Sequence, residues 1–281
     1  MKKVAVCIHG ELRHWDISSK IFNLWNKCFD DITFEFYLAT WENSTSKDLQ
    51  KNITLKEYKE YTHKDMYSKM LSPFSYYFEN IKVARGTPSY QHYYSFLLTK
   101  SVELLKEADD NDYQAVVLIR PDIFVGYELL EFIDLKFKFN VEGESLNNIE
   151  FGDNIVYSQH GTVYKQNRLF CNKDTLFVGS KNGILKFGEI FNDIFIKGKF
   201  PPLSLHSLQA EYLNWKRIHN RKNPNISNEL IRYKDNVKPG RPTPEGLLEC
   251  LETFGDDLYN LKNDNNIYNI LLKHSTDEKT P

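Results

Sequence analysis

Short apolar runs and amphipathic helical patterns alternate at the beginning of the chain. Residues 4–8 are continuously apolar, which is typical of a strand covered on both faces of a sheet. Apolar side chains then recur at helical spacing over residues 16–28, and a second apolar run follows at 32–38. This order predicts a β-α-β unit and therefore an α/β protein.

The same alternation continues further along the chain. A helical pattern over residues 89–108 leads through an acidic turn into an apolar run at 115–119, and a short second run follows at 123–125. Because the run at 115–119 is rich in β-branched residues, it predicts a buried central strand. The remaining predicted elements are a strand over 76–83, a strand or short helix over 129–139, strands over 154–157, 174–179 and 226–233, helices over 181–195 and 204–219, and a helix beginning near residue 244.

The chain is long enough, at 281 residues, for one large domain with a substantial core. We expect a mostly parallel central sheet flanked by helices within residues 1–240, a C-terminal helical extension of the same domain over 241–273, and a disordered tail over 274–281. The polar stretch over 43–90 predicts an irregular excursion.

Composition excludes several classes of protein. The formal net charge of −2 gives no basic excess, so a nucleic-acid partner is not expected. The first apolar run is too short for a signal-peptide core or a membrane span, and the four cysteines show no CxxC pairing of the kind found in zinc sites. These features predict a cytoplasmic protein with reduced thiols and no transmembrane segment.

Polar residues of chemical interest follow two of the predicted strands. Gly10 and Arg13 come after the first strand, and Arg120 and Asp122 come after the central one. Ligands of open α/β sheets gather at the carboxyl ends of strands, where a Gly permits close backbone approach and an Arg can bind a phosphate. An ordinary turn at Gly10 and a structural ion pair between Arg120 and Asp122 remain open as alternatives.

Other motifs are absent or undecided. The sequence contains no GxGxxG after the first strand, no GxxxxGK[ST], no GxSxG and no HExxH, which disfavours dinucleotide-binding, P-loop, α/β-hydrolase and zincin chemistry. His9 is a single histidine that we expect to be structural or exposed. Gln91, Tyr94 and Lys100, on the helix over 89–108, either face the site or form a solvated helix face.

The order of these features resembles the WavE-like enzymes of lipopolysaccharide synthesis and their relatives, which are glycosyltransferases of the GT-A type that build bacterial and viral surface polysaccharides. The matching pieces are Gly10-Glu11-Leu12-Arg13, Arg120-Pro121-Asp122, the segment from Asp174 to Gly179, and Glu211 in a later helix. The segment from Asp174 matches loosely, with one extra residue before its Phe.

The resemblance implies a GT-A-like fold and the transfer of a sugar, a hexosyl or related group, from a nucleoside-diphosphate sugar to a glycan or glycolipid acceptor. It implies donor binding by Gly10, Arg13, Arg120 and Asp122, and Gln91 and Lys100 are further donor-binding candidates from their place on the helix over 89–108. Asp174 and Glu211 are the candidate catalytic carboxylates. Glu211 is preferred as the base of an inverting reaction, with Asp174 holding sugar hydroxyls, whereas a retaining reaction needs no such base. Association with the inner face of a membrane is an open alternative to a fully cytoplasmic location.

The resemblance also implies a divalent cation, Mn²⁺ or Mg²⁺, bound by Asp122. Here Arg120 replaces the first acid of the usual Asp-x-Asp element, so metal use stays open, because Arg120 could itself neutralise the diphosphate. Two other functions stay open as well. One is a non-catalytic nucleotide- or sugar-binding module of the same fold, and the other is an α/β methyltransferase that binds S-adenosylmethionine.

Overall fold

The computed structural model describes most of the chain. The described residues are 2–42, 48–70, 90–108, 113–125, 153–158, 162–165, 168–171, 176–198, 205–222, 228–230, 242–259 and 265–275. The predicted elements over 76–83 and 129–139 and most of the predicted tail lie outside these residues.

The described strands and helices follow one another in an α/β order. The strands are β1 (Lys2–His9), β2 (Ile32–Trp41), β3 (Leu55–Tyr61), β4 (Tyr113–Ile119), β5 (Ile123–Val125), β6 (Ile155–Ser158), β7 (Thr162–Lys165), β8 (Arg168–Cys171), β9 (Leu176–Gly179), β10 (His219–Lys222) and β11 (Asn228–Leu230). The helices are α1 (Trp15–Trp25), α2 (His63–Tyr67), α3 (Tyr90–Glu107), α4 (Lys181–Gly188), α5 (Leu205–Trp215), α6 (Pro244–Phe254) and α7 (Asn265–Ser275), with a π-helical turn at Asn192–Ile196.

Seven strands form the central sheet in the order β10-β6-β9-β4-β1-β2-β3. Strands β4, β1, β2 and β3 pair in parallel, and β9 runs antiparallel to both of its neighbours, β4 and β6. The predicted mostly parallel sheet is therefore confirmed. The parallel pairing places the carboxyl ends of β1, β2, β3 and β4 along one edge of the sheet.

Helices cover both faces of the sheet, as predicted. Alternate residues of β1 enter two separate cores: Val4 and Val6 pack in the core shared with α1 and the C-terminal helices, whereas Ala5 and Cys7 pack in the core shared with α3, α4 and α5. A strand with two buried faces has no polar position, and this explains the continuous apolar runs of β1 and β4.

Several elements differ from the sequence prediction. The helix predicted over 204–219 ends at Trp215, because Arg217 adopts a left-handed φ of 57° and the Ile218 N–H donates to the Leu213 carbonyl at 2.8 Å, as in helix-ending motifs. Residue 219 instead begins β10. The helix predicted over 181–195 is α4 followed by the π-helical turn.

Helices α6 and α7 lie in the segment expected to form a helical extension. They pack on each other, and Leu247, Cys250 and Leu271 join the core on the α1 side of the sheet. The domain boundaries themselves stay predictions. No helix among the described residues is long and apolar enough to cross a membrane.

Candidate active site

A cleft of about 440 Å³ opens at the carboxyl ends of the four parallel strands. Each of β1, β2, β3 and β4 contributes its last residue or the residues that follow it, and α3 forms a wall. The lining residues are His9, Gly10, Glu11, Arg13, Trp41, Glu42, Tyr61, Thr62, His63, Tyr93, Tyr94, Leu97, Arg120, Pro121 and Asp122. The cleft lies where α/β sheets of this kind bind ligands.

Gly10 allows the chain to leave β1 close to the loop that follows β4. Its φ is +139°, and a Cβ atom there would lie 3.2 Å from Pro121 Cδ. The Gly10 N–H donates to the Ala39 carbonyl at 3.2 Å, which continues the pairing with β2. The residue therefore has both a conformational and a steric reason to be glycine.

Arg120 and Asp122 form a two-pronged ion pair on the floor of the cleft. Arg120 Nε donates to Asp122 Oδ1 at 2.9 Å, and Arg120 Nη2 donates to Asp122 Oδ2 at 2.6 Å. The side chains are 17% and 7% exposed, respectively. Bidentate pairing of this kind fixes the plane and direction of the guanidinium.

Arg13 lies at the rim and is much more exposed. Its Nε and Nη2 both donate to Glu11 Oε2, at 3.0 and 2.8 Å, and the two side chains are 63% and 54% exposed. An ion pair that is open to water exchanges partners at little cost. Arg13 is therefore a cation that can turn toward an anionic ligand in the cleft.

Aromatic rings form one side of the cleft. The ring of Trp41 lies parallel to that of Phe96 at 5.6 Å and meets His63 and Tyr93 edge-on at 4.8 and 5.8 Å. The hydroxyls of Tyr93 and Tyr67 are 3.1 Å apart. Such a wall gives flat apolar surface against which a nucleobase or a sugar ring can pack.

His9 ends β1 and forms part of the cleft floor, although it is only 1% exposed. Neither of its ring nitrogens has a hydrogen-bond partner among the described residues, and its ring meets that of Tyr94 edge-on at 5.0 Å. Burial and the positive charge of Arg120 lower the pKa of His9 to about 3, with a smaller opposing effect from a contact with the Cys7 backbone that lies outside regular hydrogen-bond geometry. His9 is therefore neutral at physiological pH.

The structure brings together four of the eight predicted site residues. Gly10, Arg13, Arg120 and Asp122 all line the cleft, and so does Tyr94, one of the three helix residues considered for the site. The roles proposed for these residues stay predictions.

The other four predicted site residues do not line the cleft as described. Gln91 is on α3, and Lys100, further along that helix, is buried and pairs with Glu103, with burial lowering the pKa of Lys100. Glu211 is half-buried in α5. Asp174 lies outside the described residues. Their proposed roles also stay predictions.

Several cleft residues were not singled out by the sequence. Trp41 is the last residue of β2 and Glu42 follows it, so the strand-end rule applied to β1 and β4 would have found them. Tyr61 ends β3 and His63 lies just after it, but the polar sequence of β3 hid this strand. His9 was expected to be structural or exposed, and only its burial without partners distinguishes it.

The predicted divalent cation can be tested against these side chains. Both oxygens of Asp122 accept hydrogen bonds from Arg120. Within the described ranges, no group of three or more His, Cys, Asp or Glu side chains is arranged to hold a metal ion. A divalent cation at Asp122 therefore stays a prediction, with Arg120 as the alternative positive charge for a diphosphate.

Comparisons with known proteins gave matches only among solved structures: no family model and no curated protein matches the sequence. The galactosyltransferase LgtC, in complex with donor and acceptor sugar analogs, is 10% identical over 78% of this chain and 71% of its own, with a TM-score of 0.35. An active-site mutant of LgtC is 9% identical over 78% and 70%, with a TM-score of 0.34. The apo bifunctional glycosyltransferase WbbM is 13% identical over 80% of this chain and 38% of its own, with a TM-score of 0.37. The function proposed below rests on the residues of the cleft.

Proposed function

We propose that this protein is a nucleotide-sugar-dependent glycosyltransferase with a GT-A-like fold. It transfers a sugar from a nucleoside-diphosphate sugar to a glycan or glycolipid acceptor, in the synthesis of surface polysaccharide, lipopolysaccharide or virion glycan. The observation that carries the proposal is the cleft itself, in which the carboxyl ends of the neighbouring strands β1 and β4 bring Gly10, Arg13, Arg120 and Asp122 together.

The charges of the cleft suit a diphosphate. Arg120 is held in one orientation by Asp122, and Arg13 is an exposed cation at the rim. Two guanidinium groups on one cleft can bind phosphate oxygens through charge-assisted hydrogen bonds. The conformation of Gly10 lets backbone and ligand approach closely at the same place.

The walls of the cleft suit the rest of a nucleotide sugar. The aromatic side built on Trp41 and Tyr93 offers stacking surface for a base or a sugar. Hydroxyl groups find acceptors in the carboxylates of Asp122, Glu11 and Glu42, all of which line the cleft.

The transfer step needs stabilisation of the departing nucleoside diphosphate. In the proposed mechanism, Arg120 and Arg13 supply it, since preoriented positive charge at the leaving group lowers the barrier without a metal. An inverting reaction also needs a carboxylate that accepts the proton of the acceptor hydroxyl. Glu211 is the proposed base and Asp174 the proposed sugar ligand, while Glu42 is a carboxylate that the described cleft itself offers.

The proposal is tested by calorimetric titration of the protein with UDP, GDP and CMP, each in EDTA and in Mn²⁺. We expect micromolar binding of one nucleotide, with the same affinity in both buffers, because Arg120 and Arg13 supply the positive charge that the diphosphate needs. If no nucleotide and no nucleotide sugar binds, the proposal is wrong. Binding that requires Mn²⁺ would restore Asp122 as a metal ligand.

One observation favours a second candidate function, a non-catalytic nucleotide- or sugar-binding module. Glu211, the proposed base, is not among the residues that line the described cleft. Turnover separates the two functions: an enzyme slowly hydrolyses a bound nucleotide sugar when no acceptor is present, whereas a binding module returns it intact. Release of nucleoside diphosphate, followed by chromatography, is the measurement.

A further inference from the structure

His9 is a buried residue that lines the cleft and whose ring nitrogens make no regular hydrogen bonds within the described residues. Its side chain is 1% exposed, and both ring nitrogens lack hydrogen-bond partners among the described residues. Buried polar atoms of native proteins are nearly always paired. The Cys7 backbone raises the pKa of the His9 ring slightly but makes no hydrogen bond of regular geometry with it, so the ring keeps hydrogen-bonding capacity that a ligand can use.

The neighbours of His9 restrict what that ligand group can be. The ring is neutral, and the positive charge of Arg120 opposes its protonation. A neutral imidazole has one N–H donor and one lone-pair acceptor. It attracts a phosphate weakly, and the arginines of the cleft bind phosphate better. An uncharged group that both donates and accepts suits it best.

We propose that His9 is a specificity-determining residue of the cleft that hydrogen-bonds a hydroxyl of the bound nucleotide sugar, on either the ribose or the transferred sugar. This inference rests on the proposed function and deepens it. A hydroxyl can pair with either nitrogen in either tautomer, whereas a phosphate oxygen only accepts. When the ligand is bound, the buried nitrogen gains the partner it lacks in the free protein.

The test compares apolar and amide replacements of His9. His9→Phe and His9→Leu remove both nitrogens, and Leu serves if the larger Phe ring does not fit. His9→Asn and His9→Gln place an amide near the positions of Nδ1 and Nε2. Ser95→Ala is the matched control, because Ser95 Oγ on α3 is also buried, has no hydrogen-bond partner among the residues that the structure describes, and is not part of the cleft lining.

Titrations use the nucleoside diphosphate that the wild type binds, its 2′-deoxy form, the corresponding nucleotide sugar, and pyrophosphate. We expect the apolar variants to bind the nucleotide sugar at least tenfold more weakly, a loss of about 1.4 kcal/mol. We also expect them to match or exceed the wild type in thermal stability without ligand, since two unpaired buried nitrogens are gone. One amide variant should recover most of the affinity, and Ser95→Ala should change none of it.

The ligand series separates the two sources of the hydroxyl. An equal loss for the nucleoside diphosphate and the nucleotide sugar assigns it to the ribose, and a loss for the nucleotide sugar alone assigns it to the transferred sugar. Unchanged affinity in the apolar variants, or an equal loss for pyrophosphate, overturns the inference while the proposed function stands. Failure of the wild type to bind any nucleotide instead removes the proposed function.

Discussion

Arg120 and Asp122 are two residues apart in sequence and join through two parallel hydrogen bonds of 2.9 and 2.6 Å at the carboxyl end of β4. The pair is largely shielded from water, with Asp122 7% exposed. The same carboxylate balances the arginine charge and fixes the orientation of the guanidinium in the cleft.

Replacing one member of this ion pair should lower the free energy of unfolding at least as much as replacing both members. We expect Asp122→Ala to lower the free energy of unfolding by about 3 kcal/mol, since it leaves a shielded cation without its counter-charge. The double variant Arg120→Ala, Asp122→Ala should be no less stable than Asp122→Ala alone. Urea unfolding of the wild type, Arg120→Ala, Asp122→Ala and the double variant gives the coupling energy. Additive losses would show that the two side chains act independently.

At the rim, the exposed pair of Arg13 and Glu11 should affect binding and not stability. Arg13→Ala should weaken nucleotide binding about tenfold, because it removes a charge-assisted contact worth about 1.5 kcal/mol. Its melting temperature should stay that of the wild type, since exposed ion pairs contribute little.

Glu11→Gln is the matched control for this prediction. It removes the carboxylate that accepts from Arg13 and lowers the negative charge of the rim, so nucleotide affinity should rise or stay the same. Calorimetric titration of both variants is the measurement. Equal affinities for Arg13→Ala and the wild type would exclude Arg13 from the site.

Close packing of α4 on α3 depends on Gly188. A Cβ atom there would lie 2.4 Å from Val102 Cγ1 and 2.7 Å from Val102 Cβ, so the two helices would have to move apart. We expect Gly188→Ala to lower the free energy of unfolding by about 2 kcal/mol, as overpacking does, and to weaken nucleotide binding, because α3 carries Tyr93 and Tyr94 into the cleft.

Gly183→Ala is the control in the same helix. A Cβ atom at residue 183 comes no closer than 3.2 Å to its neighbours, and the nearest is the Ser180 hydroxyl. Its effect on stability should stay within about 1 kcal/mol, the size of the helix-propensity difference between Gly and Ala. Equal effects of the two substitutions would contradict the packing argument. Thermal unfolding monitored by circular dichroism makes the comparison.

The hydrophobic pattern of the sequence predicted the strands that are buried on both faces, but it did not predict the solvent-exposed strand at the edge of the sheet. Strands β1 and β4 lack polar positions because helices cover them on both faces. Strand β3 is at the edge of the sheet, and five exposed residues separate its buried ends, Leu55 and Tyr61. Edge strands rich in charge avoid pairing with other chains, and for the same reason they look like loops in a sequence.

The sequence predicted cleft residues that directly follow apolar strands. Gly10 and Arg120 follow apolar runs that a sequence shows directly, and they meet in the cleft. To predict the aromatic side of the cleft, one would have to know which residues of α3 face the carboxyl edge of the sheet. His9 required knowledge that its ring nitrogens lack regular hydrogen bonds within the described part of the chain, and this follows only from three-dimensional packing.

His9 should also affect how the free energy of unfolding changes as the pH falls. Its pKa falls from an ordinary value near 6.5 to about 3 in the folded state, so below pH 6.5 the unfolded chain takes up a proton that the folded protein does not. The contribution of neutral His9 to the free energy of unfolding is therefore fully present above pH 6.5 and is lost as the pH falls toward 3. At 1.36 kcal/mol per unit, the loss attributable to His9 between pH 7 and pH 5 is about 2 kcal/mol.

The measurement is the free energy of unfolding of the wild type and of His9→Phe at pH 7, 6 and 5. Titration of all other groups is common to the two proteins, so their difference isolates His9. The groups around its ring are the Arg120 charge, the Cys7 backbone and the edge-on ring of Tyr94, and none of the three changes charge in this range. The wild type should lose about 2 kcal/mol more than the variant by pH 5. Parallel curves would mean that the folded protein accepts the proton, and His9 would then be a cation available to the diphosphate instead of a neutral partner for a hydroxyl.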